Sequence, residues 1–284
     1  MKLSYYPGCS LKGTAIDYEE SIRAVCLSLG IELIELCNWN CCGSTAAHSI
    51  NRHAAIELAG RNIAIAQKRG LDMVIPCPLC FNRLKTAEKV LLGPQKNKYQ
   101  ISIEDSRIKL FDLADLLSRK EILAKIKSKI VNPITGLKNV CYYGCQSSRP
   151  PKITDSQNCE NPVSMDRIIK TLGERPIQWS FKTDCCGASH IIPRQDIAFI
   201  MIEKLYQRAR QSGAACFVVS CQMCQLNLDA YQKQINNEFG TDYYLPVLYF
   251  TELIGLALGH SDTSKWFSRH FVNPEKMLLK IGLV

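Results

Sequence analysis

Short apolar runs alternate with amphipathic stretches along this chain, and the alternation runs its course twice. Lys2 to Tyr6 reads as a strand that enters a Pro7-Gly8-Cys9 loop. Ile22, Val25, Cys26 and Leu29 then fall at i, i+3, i+4 and i+7, one face of a helix that Gly30 ends. Asp17, with Glu20 three residues on, predicts a capping box at its start. Ile31 to Leu36 alternates as a strand and delivers the chain to Cys41-Cys42. A long helix follows from about Ala47 to Lys68, closed by Gly70, and Met73 to Ile75 is a short buried strand leading into Pro76-Cys77.

The second half repeats this order. Val140 to Tyr143 runs into Gly144-Cys145, and Met165, Ile168, Ile169 and Leu172 mirror the first helix and end at Gly173. Ile197 to Arg210 is the counterpart of the long helix, and Cys216 to Val219 is the strand before Cys221. Each half closes with a strand and an amphipathic helix, Ile108 to Leu117 and Leu248 to Leu258. Asn132 to Lys138, with a Pro and a Gly, reads as the linker. The basic tail from Lys265 to Val284 has no counterpart and is expected to pack as a short helix or to form a docking surface. The pattern predicts an α/β protein of two pseudo-symmetric cysteine-rich domains, residues 1–135 and 136–284. Each is a small, mostly parallel sheet flanked by helices.

Composition narrows the chemistry through cysteine. Ten of the 15 form one five-residue pattern written twice. The first copy is Cys9, Cys41-Cys42-Gly43 and Cys77-x-x-Cys80; the second is Cys145, Cys185-Cys186-Gly187 and Cys221-x-x-Cys224. From the vicinal pair onward the copies keep one offset, 144 residues, while Cys145 is offset from Cys9 by 136, so the second copy carries an insertion before Cys185. Cys26, Cys37, Cys141, Cys159 and Cys216 have no cysteine partner across the repeat. Cys26 and Cys37 read as core packing, and none of the five is given a metal role.

The N-terminus reads straight into a strand without a signal-peptide apolar region, and no run approaches the roughly 18 apolar residues of a membrane span. The expected location is therefore cytoplasmic, with any membrane contact peripheral. Thiols are kept reduced there, which leaves metal binding or redox catalysis rather than a disulfide framework. A formal charge of +9 counts every cysteine as neutral; metal-bound thiolates offset part of it. Lys and Arg are not clustered with aromatics, so nucleic acid is not an expected partner.

Five thiols per copy exceed the four that a cubane iron–sulfur cluster or a tetrahedral zinc site takes. The adjacent pair fits two neighbouring irons, or one thiolate bridging two. Zinc with a spare thiol and a thioredoxin-like dithiol are the competing readings, the second leaving three cysteines per copy unexplained.

Both copies resemble the cysteine-rich CCG domain, and by length and layout the chain resembles the B subunit of heterodisulfide reductase. Tyr5-Tyr6-Pro7-Gly8-Cys9 and the Asn161-Pro162 lead into a helix fit the resemblance too. The resemblance implies a non-cubane [4Fe-4S] cluster on Cys9, Cys41, Cys42, Cys77 and Cys80, and a second on Cys145, Cys185, Cys186, Cys221 and Cys224, with zinc in one domain as the alternative. It further implies a small disulfide bound between the clusters and cleaved, or formed, by one-electron steps. The implied partners are a ferredoxin-like C subunit and a flavin-containing A subunit. The chain has no ferredoxin-type cysteine run of its own. A quinone-linked electron-transfer subunit, as in succinate-reductase-like or lactate-oxidation complexes, is the alternative. His48 and His190 follow the vicinal pairs and are the candidates for proton delivery. Arg52, Arg149 and Arg194 are candidates for anionic groups or for a solvated helix face.

Overall fold

The computed structural model describes residues 1–284. Two parallel sheets form its centre. The first runs β2 (Glu32–Glu35), β1 (Lys2–Tyr5), β3 (Met73–Ile75), β4 (Leu110–Asp112), and the second β5 (Asn139–Tyr142), β6 (Cys216–Val219), β7 (Val247–Tyr249). All pairings are parallel, with Ser4 opposite Met73 and Val74 opposite Phe111 in one sheet, and Cys141 opposite Val218 in the other. Every residue of β3, β5, β6 and β7 is buried, as expected of parallel strands covered on both faces.

The second sheet has no regular counterpart of β2. Residues 177–182 lie along the edge of β5 without joining it as a strand. Ile177 N–H donates to Asn139 O at 2.8 Å, and the Trp179 indole donates to Cys141 O at 2.9 Å. Pro176 supplies no donor, and a side chain takes a ladder carbonyl, so regular pairing is lost.

Three other expectations change. No capping box forms at Asp17: the helix Ile16–Ser28 begins one residue earlier without a side-chain cap. Asp17 and Glu20 are drawn instead to the C-terminal tail, Asp17 to His270 and Glu20 to Lys265 and Arg269, at 3.5, 3.1 and 3.0 Å. The long helix is broken into Ala47–Ile50 and Arg52–Arg69, because Asn51 takes an extended conformation and its side chain accepts from Ala54 N–H at 3.0 Å. Cys37 is exposed beside Arg69 rather than in the core, whereas Cys26, Cys141 and Cys216 are buried. The tail packs as two short helices, Thr263–Phe267 and Glu275–Lys280, and buries Trp266, Phe267 and Leu278.

The two halves exchange helices. Helix Ile16–Ser28 of the first half packs on Phe250–Ala257 of the second, while Ser164–Leu172 of the second packs on Leu113–Leu117 and Lys120–Ser128 of the first. Tyr18 stacks on Tyr249 with ring centroids 4.1 Å apart, and the Ser21 and Thr251 hydroxyls meet at 2.7 Å. As a result one apolar core runs through both halves, from Leu3 to Leu278. A smaller one lies between the first sheet and helices Arg52–Arg69 and Pro78–Leu91. The linker is pinned, with Asn132 N–H on Ala257 O at 3.0 Å and Ile134 N–H on Leu172 O at 2.8 Å. The insertion of the second half includes the short helix Pro151–Thr154, which packs against Pro78–Leu91.

Candidate functional site

Both cysteine sets gather at the C-terminal edges of the strands, where parallel α/β sheets place their sites. Cys9 follows β1, Cys77 follows β3, and Cys80 occupies the first turn of helix Pro78–Leu91. Cys145, Cys221 and Cys224 hold the matching positions after β5 and β6. In each set three cysteines are buried, and two stand at the rim, Cys9 with Cys41 and Cys145 with Cys185. Cys42 and Cys80 sulfurs lie 3.2 Å apart, and those of Cys186 and Cys224 lie 3.6 Å apart.

Backbone geometry makes room for this sulfur. Gly8 has φ +73, and a Cβ there would stand 3.0 Å from Cys80 Sγ; at Gly144, φ +65, it would stand 2.9 Å from Cys224 Sγ. After each vicinal pair the Gly43 and Gly187 N–H groups point at Cys41 and Cys185 Sγ, both at 3.4 Å. Cys77 caps its helix, its sulfur accepting from Cys80 N–H at 3.2 Å.

The electrostatics follow from crowding. Hydrogen bonds from the Cys41 and Cys80 thiols, opposed by burial, hold Cys42 down to about 4 and keep the proton on Cys41 and Cys80. Cys145 does the same for Cys185, bringing it to about 6, and Cys224 for Cys186. Each set already carries a stabilised thiolate ringed by thiols, an all-sulfur donor set suited to iron–sulfur or another thiophilic metal. The glycine cradles and the donor chemistry therefore fit a metal–sulfur group in each half. Arg83 adds positive charge beside Cys42, and its buried Nε has no partner.

The two sites meet across the interface. A cavity of about 100 Å³ is bounded by Cys145, Cys185, Cys186, Cys221 and Cys224 on one side, and by Pro78 and Leu79 of the other half. In return Gln222, between Cys221 and Cys224, donates to Cys77 Sγ at 2.7 Å. Asn82 joins the halves by donating to Gln146 O and Arg149 O at 3.1 and 2.8 Å.

His48 and His190 are both exposed. His190 is near enough to help lower the Cys185 thiol, after the larger effects of Cys145 and Gly187 N–H and against burial, whereas His48 meets only Ser49, at 3.4 Å. Arg149 is held by Glu160 and Thr183, Arg194 pairs with Asp196, and Arg52 is exposed at a helix start.

The sequence reading missed a pair of tyrosines. Tyr6 OH donates to Asn40 O at 2.8 Å, and Tyr142 OH donates to Asp184 O at 2.6 Å. Each fixes the carbonyl just before a vicinal cysteine pair. The signal was present, since both tyrosines precede their first pattern cysteine by three residues.

The family model "Cysteine-rich domain" (CCG) matches residues 3–85 and 140–229. The chain is 31% identical to the 8-methylmenaquinol:fumarate reductase membrane anchor subunit of Wolinella succinogenes, over 91% of this chain and 92% of that one. It is 28% identical to the B subunit of the ferredoxin/F420H2-dependent CoB-CoM heterodisulfide reductase of Methanosarcina acetivorans, over 99% and 97%. Among solved structures it resembles a hypothetical protein from Helicobacter pylori with a TM-score of 0.66 at 12% identity, a likeness of fold. It covers 96% of this chain but spans only about half, 52%, of that structure. No helix is long and apolar enough to cross a membrane. Two matched domains, each carrying its full set of five cysteines, make this chain a member of the cysteine-rich CCG family, and over nearly its whole length it is related to the B subunit of heterodisulfide reductase.

Proposed function

We propose that this chain is the catalytic subunit of a disulfide-reducing electron-transfer complex. An organic disulfide would be cleaved to two thiols, or formed from them, between two four-iron clusters of non-cubane type. The observation that carries the reading is the interlocking of two complete cysteine sets, with Pro78-Leu79 walling the cavity of one and Gln222 touching Cys77 of the other. When bound, the clusters supply single electrons, and two of them match the two-electron need of one disulfide.

The chain's own residues then bind, orient and exclude water. Pro78, Leu79, Ala188 and Met223 line the cavity with apolar surface, and its size admits the reacting end of a ligand rather than its whole body. Tyr6 and Tyr142 hold the vicinal cysteine loops, and Gln222 holds Cys77. His190, exposed beside Cys185, can return a proton on the solvent side, with His48 in the matching place of the first half. A ferredoxin-like subunit and a flavin-containing subunit would feed the clusters.

A second reading, electron exchange with a quinone, is favoured by the likeness to the Wolinella succinogenes membrane anchor subunit. Anaerobically purified protein should contain about eight iron and eight acid-labile sulfide per chain, and it should cleave disulfides with a chemical one-electron donor. Colourless protein holding zinc would refute the cluster reading; full iron with quinone turnover and no disulfide turnover would select the second.

A further inference from the structure

Between the halves, beside the cysteine-lined cavity, lies a second and smaller one of about 20 Å³. Asp112, Asp115, Tyr143, Ser148, Ser164 and Ser220 are among its lining residues. Tyr143 borders both cavities, and Ser220 is the residue before Cys221. Two oxygens here are buried and unpartnered, Asp112 Oδ2 and Ser220 Oγ, on residues 4% and 2% exposed. Asp112 Oδ1 is occupied: it accepts from Ala114 N–H at 2.9 Å and Asp115 N–H at 3.2 Å at the start of helix Leu113–Leu117. The carboxyl is thus divided in function, one oxygen capping a helix and the other turned to the cavity. A third unpartnered hydroxyl, Tyr18 Oη, lies in the field of Asp112 first and then of Cys221 and Cys77.

Buried polar atoms without partners are rare, and a polar cavity of this size accommodates one water. We propose that a water sits here on Asp112 and Ser220, and that Asp112 relays protons through it to the sulfur released in the adjoining cysteine-lined cavity. The inference rests on the disulfide-cleaving function proposed above. In the balanced step, RS–SR′ would take two electrons, one from each cluster that the two cysteine sets would hold, its S–S bond breaks, and two protons complete RSH and R′SH. Asp112 gives one of these protons, becoming a carboxylate, and regains it from solvent through exposed Asp115 and half-buried Ser156, which also line the cavity; the other proton comes from solvent on the side of exposed His190.

The surroundings keep Asp112 a neutral acid. Burial first, and the Asp115 carboxylate second, push it up to about 8, against the two backbone N–H bonds. The other titratable groups facing it are the tyrosines Tyr18 and Tyr143, neutral hydroxyls, while Arg119 and Arg167 act on Asp115. The proton is therefore available below about pH 8 and absent above it.

Asp112→Asn keeps the cap-accepting oxygen and shape while removing the acid. In the cluster-loaded protein with a one-electron donor and a small disulfide, it should lower kcat on the order of 100-fold with KM little changed. It should also abolish the fall in wild-type kcat as pH rises through about 8, and remove the protonated-carboxyl infrared band that the wild type loses over the same range. Ser220→Ala should lower kcat in the same direction, by less, and it carries the test if the first variant loses iron. Wild-type kcat and pH profile in either iron-replete variant would overturn the relay. A wild type that binds its iron but cleaves no disulfide would overturn the proposed function, and the relay with it.

Discussion

Replacing His270 tests the buried charge network that ties the tail to the first helix. Its side chain and that of Glu252 are fully buried; Nε2 lies 2.9 Å from Glu252 Oε1 and 3.5 Å from Asp17 Oδ2. Asp229 sits close by, engaged with the N–H groups of Phe271 and Val272 at 2.8 and 3.0 Å. Burial opposes a charge on His270, but Glu252, Asp229 and Asp17 together outweigh it, and the imidazolium is pushed up to about 9 from 6.5. At about 1.4 kcal/mol per pKa unit, that rise links about 3 kcal/mol of stability to protonation. Because the folded-state pKa is the higher one, the contribution is complete below about pH 6.5 and lost as pH rises through about 9.

His270→Gln removes the cation while keeping a donor. Near pH 6 it should melt about 6–12 °C below the wild type, at roughly 2–4 °C per kcal/mol. The gap should close to about 2 °C or less above pH 9, where neutral histidine and glutamine differ little. Thermal melts of the anaerobic, iron-replete proteins across this range provide the assay. Taking the difference between the two proteins cancels Asp112, whose raised pKa, to about 8, also makes stability fall with rising pH. A gap that stays constant or widens with pH would refute the reasoning.

Other consequences concern the sulfur loops. Gly144→Ala places a methyl 2.9 Å from Cys224 Sγ at φ +65, so iron per chain should fall by about half; Gly30→Ala, with φ +69 and nothing within 4 Å, should incur only the backbone strain of about 1–2 kcal/mol and keep all its iron. Full iron in the Gly144 variant would show that the cradle is not required. Gln222→Leu removes the donor to Cys77 Sγ and should lower the midpoint potential of the first-half cluster by tens of millivolts, read by redox-titrated EPR, leaving the second-half signal in place.

Much of the site was legible because the repeat displays it. Cysteines at a common offset, glycines beside them and short buried strands before them are local patterns, and the sheets and sulfur positions follow from them. What local pattern could not supply is the choice of partner. Asp17 and Glu20 have the spacing of a capping box, yet the groups that take them up lie near residue 270, so no window along the chain reveals the competition. Cys37 reads as core by its counterpart Phe181, but it ends an edge segment beside Arg69 and faces out. Asn51 lies inside an apolar periodicity that masks it, although asparagine three residues before Ala54 is a helix-start signal. Asp112 was hidden for the opposite reason: in sequence it is one polar residue at a strand end, and only the docking of the halves encloses it.

The reciprocal packing of first helices leaves neither half self-sufficient. Either half made alone would lack the apolar cover its sheet and closing helix require. A nick within residues 132–138 would accordingly leave the fragments clasped, since their grip lies in crossed helices rather than in the peptide between them. The repeat in sequence is thus matched by a reciprocal exchange of helices in space, each half completing the core of the other.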